Sequence, residues 1–140
     1  MRALLDSNVL LSAAIRPSGP PGRIVAALVE HDAFELVLSP AILAEVEAAL
    51  ALPKIRRYFE DPSEALRWLA DLAVLSDIAA DTGRAEGVCR DPDDDAVLSA
   101  ALEGRAEVIV SGDADLLALE EHEGIAIVTP RDFLKLIAAD

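Results

Sequence analysis

Apolar and polar positions divide the chain into two kinds of segment. Four short runs, Ala3 to Leu5, Phe34 to Leu38, Val108 to Val110 and Ile125 to Val128, are almost wholly apolar, leucine-rich or β-branched, and each ends at a polar or turn residue. Runs of this kind predict buried strands. Between or after them, apolar residues recur at helical spacing in Ile24 to Val29, Pro40 to Leu50, Ser63 to Val74, Asp93 to Leu102 and Asp132 to Ile137. The alternation of strand and helix predicts an α/β fold, a three-layer sandwich with helices on the faces of a central, mostly parallel sheet. Pro53 to Val74 reads as two helices with no strand between them, split at Asp61-Pro62. The stretch Pro17 to Gly22 reads as a loop, because its prolines and glycines oppose regular structure, and Asp91-Pro92 as another. Neither is long enough to divide domains, so residues 1–140 are expected to form a single domain.

Composition adds exclusions. With 140 residues, 53% of them apolar, the chain can bury one substantial core. Its apolar stretches, such as Ile24 to Val29, fall far short of the roughly 20 residues that span a bilayer, so no membrane span is expected. Asp6 and Asn8 interrupt the first segment before a signal-peptide core can develop, and the cytoplasm is the expected compartment. A single cysteine, Cys89, can make neither an intramolecular disulfide nor, by itself, a cysteine-based zinc site. The net charge of −14 opposes binding to nucleic acid, whose phosphates attract cations. Two features soften that conclusion: carboxylates that bind divalent cations are partly neutralised in use, and Lys54, Arg56 and Arg57 form a local cationic patch, unless they are only a solvated turn of helix.

The acids are distributed informatively. In open α/β sheets, ligands bind outside the carboxyl ends of the strands. Asp6 follows the first strand directly, and Asp113 follows Val108 to Val110 after Ser111-Gly112. Either could instead cap the next helix, although Ser7 or Asn8 could take that role near Asp6. Asp93, Asp94 and Asp95 open a helix, where the dipole favours acids in any protein. At about 3.6 residues per turn, Asp94 shares a face with Val97, Leu98 and Ala101, while Asp93 and Asp95 fall toward the edges. A carboxylate on the buried side of a helix start requires a partner, and a metal ion is one. Glu45 and Glu47 border the apolar stripe of Pro40 to Leu50, and periodicity does not choose between them. Several gathered carboxylates repel unless protonated or bound to cations, and hard oxygen donors select Mg²⁺ or Mn²⁺. Phosphoester hydrolysis is the chemistry that fits best. The chain has no phosphate-binding Gly-x-x-x-x-Gly-Lys loop and no Gly-x-Ser-x-Gly elbow, and His31 and His122 lack a metal-binding partner at helical spacing and read as surface residues.

These motifs together resemble a PIN domain, in particular the VapC-like ribonuclease branch formed by toxin components of toxin–antitoxin systems. The resemblance is carried by Leu4-Leu5-Asp6-Ser7-Asn8-Val9-Leu10, by Ser39 through Glu45-Val46, by Asp91-Pro92-Asp93-Asp94-Asp95 and by Ser111-Gly112-Asp113-Ala114-Asp115-Leu116-Leu117. Ser7 stands where that family often has threonine, which keeps the hydroxyl. The resemblance implies an acidic pocket of Asp6, Glu45, Asp94 and Asp113, with Asp6, Asp94 and Asp113 as ligands of Mg²⁺ or Mn²⁺, and it selects Glu45 over Glu47. It implies Asn8 and Ser111 as polar supports and Asp115 as an additional acid. It further implies an RNA substrate, an antitoxin partner and a homodimer. Two other readings compete. One is a PIN-like binding module without catalysis. The other is a receiver-like, Mg²⁺-binding signalling domain, which needs a lysine after a late strand where this chain has Thr129-Pro130-Arg131.

Overall fold

The computed structural model describes residues 1–138. A six-stranded sheet forms the centre, built from β1 (Arg2–Leu5), β2 (Glu35–Leu38), β3 (Asp77–Ile78), β4 (Val108–Val110), β5 (Glu121–His122) and β6 (Ile125–Val128), in the order β3-β2-β1-β4-β6-β5. Every pairing is parallel except that of β5 with β6. The expected mostly parallel sheet is therefore present. Its central strands are apolar for a physical reason: Ala3, Leu4, Leu5, Val37, Leu38, Ile109 and Val110 are all buried, as strands covered on both faces must be. The two-residue edge strands β3 and β5 were not expected.

Among the described residues, eight helices flank the sheet: α1 (Ser7–Ile15), α2 (Pro20–His31), α3 (Pro40–Leu50), α4 (Pro53–Arg56), α5 (Pro62–Leu75), α6 (Pro92–Glu103), α7 (Ala114–Leu119) and α8 (Pro130–Ala138). Six of these begin on a proline. At the first helical position proline's missing N–H has no intrahelical partner to lose, and its fixed φ suits the helix. This corrects the reading of Pro17 to Gly22 as loop throughout, since Pro20, Pro21 and Gly22 form the first turn of α2. Gly22 is confined there, because a Cβ would collide with the Pro17 carbonyl. Likewise Pro92 is helical, with Asp91 as the cap that accepts from the Asp93 N–H at 2.9 Å.

Helices α1, α2, α3, α5 and α8 pack on one another and against the core. Phe34 and Phe133 meet edge to face, with centroids 5.1 Å apart, and tie α8 to the approach of β2. At the amino-terminal edge of the sheet, Arg2 donates to the Gly104 carbonyl at 2.6 and 3.0 Å, to Glu35 at 2.9 Å and to Asp77 at 2.5 Å. One guanidinium thereby clasps β1, β2, β3 and the end of α6. Strand order reverses between β1 and β4: β2 and β3 lie to one side of β1, and β6 and β5 lie beyond β4. At such a reversal the connections leave the sheet in opposite directions and open a crevice at the carboxyl ends.

Candidate active site

Asp6 leaves β1 at that crevice, and the residues after β4 close it from the other side. Parallel pairing of Leu5 with Val110, together with the Asp6 N–H on the Val110 carbonyl at 3.0 Å, fixes the spacing. The Asp6 carboxylate is buried and well supplied with donors: the Ser7 N–H at 2.8 Å, Asn8 Nδ2 at 3.0 Å and the Ser111 hydroxyl at 2.7 Å. Asn8 Oδ1 in turn accepts from the Gly112 N–H at 2.9 Å, and Ser111 Oγ accepts from the Asp113 N–H at 3.0 Å. Asn8 and Ser111, expected as supports, thus lace the two strand ends together. Asp6 is itself the N-cap of α1, the role that Ser7 or Asn8 could have taken.

Asp113 caps α7 through the Leu116 N–H at 3.0 Å. Its neighbour across the crevice is Asp94, in the first turn of α6. Every influence on Asp94 opposes its charge: burial first, then the Asp113 charge, a hydrogen bond to Asp113, and the charges of Asp91 and Asp6, which together raise its carboxyl from 3.8 to about 6. Carboxylate oxygens of Asp94, Asp113 and Asp115 lie within 4.8 Å of one another. Asp115 also meets Arg90 at 3.2 Å. Asp6 is outside this tightest trio and acts on it through charge.

Within the aspartate triplet, burial and proximity to the other acids fall on different members. Asp95, not Asp94, is the buried one, at 8% exposure, and it accepts from the Gly87 N–H at 2.9 Å and the Cys89 N–H at 2.7 Å. Those bonds, the Cys89 N–H foremost, hold its carboxyl below the usual range. Asp95 therefore organises the loop before α6, and Asp94 is the member that faces the other acids. The apolar-stripe argument reached Asp94 on an incorrect premise, since Val97 through Ala101 are buried in succession and α6 has no single inner face.

Glu45 is exposed on α3 and lines a cleft with Ser39, Ile42, Asp93 and Val97. It reaches the start of α6 on the side of Asp93 and is not part of the carboxylate trio. Sequence reasoning missed Arg90, which lies outside every apolar repeat, and left Asp93 without a role at the edge of one. His31 is exposed as expected, whereas His122 is largely enclosed, with 17% of its side chain exposed and Nε2 lacking a hydrogen-bond partner among the described residues, which corrects its reading as a surface residue.

The donor set suits a hard divalent cation: it is all oxygen, negatively charged, and contains one carboxyl whose ionisation is suppressed by its neighbours. The PIN domain family matches residues 2–115, a span that includes every acid discussed above. Protein MJ1680 of Methanocaldococcus jannaschii is 29% identical over 143 residues, covering 96% of this chain and 90% of that protein. Among solved structures, PAE2754 from Pyrobaculum aerophilum superposes with a TM-score of 0.70 at 20% identity, covering 100% of this chain and 91% of that one. A chain in the structure of VapBC2 from Rickettsia felis, bound to a DNA fragment from their promoter, superposes with a TM-score of 0.62 at 13% identity, covering 92% and 98%. At these identities the two structures establish the likeness of fold.

Proposed function

The chain belongs to the PIN domain family, and from that premise we propose that it is a divalent-metal-dependent endoribonuclease acting in the cytoplasm as the toxin of a toxin–antitoxin pair. The observation that carries the proposal is the convergence of Asp94, Asp113 and Asp115 at the crevice between β1 and β4, beside the donor-saturated Asp6. Asp94 and Asp113 would hold Mg²⁺ or Mn²⁺ together with Asp6. When bound, such an ion supplies an activated water and stabilises charge developing on the phosphodiester. The remaining work belongs to the chain. Asn8 and Ser111 fix the direction of the Asp6 carboxylate, so that it does not have to be ordered anew in each turnover. Asp115, already within reach of Asp94 and Asp113, can release its exposed contact with Arg90 and turn fully toward the crevice. Glu45 and Asp93 border the cleft beside α6, where they can order water or bar a misplaced phosphate. The antitoxin assignment draws support from the likeness to a chain of the VapBC2 assembly.

The test is cleavage of a labelled, mixed-sequence single-stranded RNA with Mn²⁺ or Mg²⁺ and with EDTA, comparing the protein with its Asp6→Asn and Asp94→Asn variants. Cleavage that requires metal and disappears in both folded variants is the expected outcome. Absence of cleavage across several RNAs, together with no metal-dependent rise in melting temperature, would turn the assignment to a binding module.

A further inference from the structure

Between the end of β3 at Ile78 and the start of α6 at Pro92 the chain forms no helix or strand, yet the second half of this connection is closely tied down. The Ser99 hydroxyl accepts from the Ala85 N–H at 2.8 Å, and the buried Asp95 carboxylate accepts from the Gly87 N–H at 2.9 Å and the Cys89 N–H at 2.7 Å. Asp91 then caps α6. Arg90 stands between these last two anchors, so its backbone is fixed while its side chain, 89% exposed, is free to move. The guanidinium reaches Asp115 at 3.2 Å. Among the described residues this is the one ion pair made by Asp6, Asp94, Asp113 or Asp115. It joins one guanidinium nitrogen to one carboxylate oxygen, and it is longer than the roughly 2.7–2.9 Å of a strong charge-assisted bond, so most of a planar fork of donors is left unused. An exposed pair of this kind adds little to stability. The fold itself therefore does not require an arginine at the end of a loop anchored so firmly.

We propose that Arg90 is a catalytic residue parked on Asp115 in the free protein: when substrate binds, its guanidinium passes to the non-bridging oxygens of the phosphodiester, and Asp115, released, turns to join Asp94 and Asp113. The fork of an arginine matches two phosphate oxygens better than the single oxygen it now holds. Asp115 is already within reach of Asp94 and Asp113, so its release adds a carboxylate to those that can surround a cation. Substrate and cation thus favour the same exchange of partners, and each strengthens the binding of the other. Asp95 acts as a positioning residue, because the Cys89 amide that it holds immediately precedes Arg90. The inference rests on the ribonuclease reading above for the identity of the phosphodiester, and its test is independent of cleavage.

Two measurements on the full chain test the exchange. Mn²⁺ binding without RNA, followed by the electron paramagnetic resonance signal of the free ion, is compared for the parent, Arg90→Gln, Asp115→Asn and the double variant. Binding of a fluorescein-labelled, unstructured RNA of about 12 nucleotides is followed by anisotropy in Ca²⁺, another cation that takes oxygen ligands. Here the parent is compared with Arg90→Gln, Arg90→Lys and, as a control of equal charge change on α5, Arg67→Gln. With Asp115 freed of its competitor, Arg90→Gln should bind Mn²⁺ about two- to fivefold more tightly than the parent. The same substitution should change affinity by less than about 1.5-fold once Asp115 is asparagine. For RNA, Arg90→Gln should bind about tenfold more weakly, Arg90→Lys should recover part of the loss because it keeps the charge without the fork, and the control should match the parent. Mn²⁺ affinity that Arg90→Gln leaves unchanged or lowers, a gain that persists undiminished beside Asp115→Asn, or RNA affinity equal in parent and Arg90→Gln would each overturn the exchange, as would a parent that binds no RNA. The full pattern without metal-supported cleavage would leave the exchange standing and remove the nuclease reading, whereas cleavage with RNA affinity and KM indifferent to Arg90 would do the reverse.

Discussion

Replacing Asp94 with asparagine should make the metal-free protein more stable. Burial and the charges of Asp113, Asp91 and Asp6 carry the Asp94 carboxyl from 3.8 to about 6. At about 1.36 kcal/mol per pH unit, that displacement corresponds to roughly 3 kcal/mol for a fully desolvated group. Asp94 keeps part of its surface in water, and solvent screening reduces the expected effect to about 1–2 kcal/mol. Linkage gives the sign. A carboxyl whose folded-state pKa lies above its unfolded value weakens the fold wherever it is ionised, so the burden is absent below 3.8, grows as pH rises, and is complete above about 6. Asparagine has nearly the same shape and carries no charge at any of these pH values. In urea titrations with EDTA, Asp94→Asn is expected to exceed the parent by about 1–2 kcal/mol near pH 8, with the advantage shrinking toward zero as pH approaches about 4. Adding Mg²⁺ should stabilise the parent and close the gap. An advantage that does not vary with pH, or a variant less stable than the parent near pH 8, would refute the claim that repulsion among these acids loads the fold.

Other sites give sharper single outcomes. Ser111→Ala removes a 2.7 Å hydrogen bond to Asp6 and should lower metal affinity or cleavage by about 10–100-fold while the protein stays folded, measured by metal titration and kinetics; an unchanged metal affinity and rate would show that Asp6 needs no such support. Asp95→Asn should leave the trio intact but loosen the loop before α6, so that the Gly87 and Cys89 amides exchange hydrogen faster; protection equal to the parent's would count against that role. Burial, with the charge of Asp95, pushes the Cys89 thiol up to about 11, so alkylation by iodoacetamide near pH 8 should be slow until the protein is unfolded, and rapid labelling of the native protein would contradict it. Arg2→Ala should destabilise the fold by about 1–3 kcal/mol in urea titrations, because the part-buried Gly104 carbonyl loses its donor; a change within about 0.5 kcal/mol would show the clasp to be dispensable.

The parts of the fold legible in the sequence were those with a strong apolar signal. β4 and β6 match their apolar runs, and α3 matches its periodic segment, because burial on both faces or along one stripe writes the pattern directly. β3 and β5 consist of Asp77-Ile78 and Glu121-His122, edge residues with no apolar run to announce them. The start of α2 was hidden by the opposite error, since Pro20 and Pro21 break a helix in its interior yet favour its first turn. In the site, Asp6 and Asp113 could be placed by position after strands, a rule of topology. The division of labour between Asp94 and Asp95 could not, because it depends on where the loop from Ala85 to Arg90 returns across α6, a tertiary contact with no local signature.

The join between β1 and β4 has a consequence for biosynthesis. Asp6 and Ser111 stand 105 positions apart, and their hydrogen bond forms only after the chain has supplied β4. A nascent polypeptide that already contains Asp6, Glu45 and Asp94 still lacks Asp113 and the strand that would seat it. The crevice is therefore assembled only once residues beyond β4 have been made, and a chain truncated before β4 would carry most of these acids without the fold that gathers them.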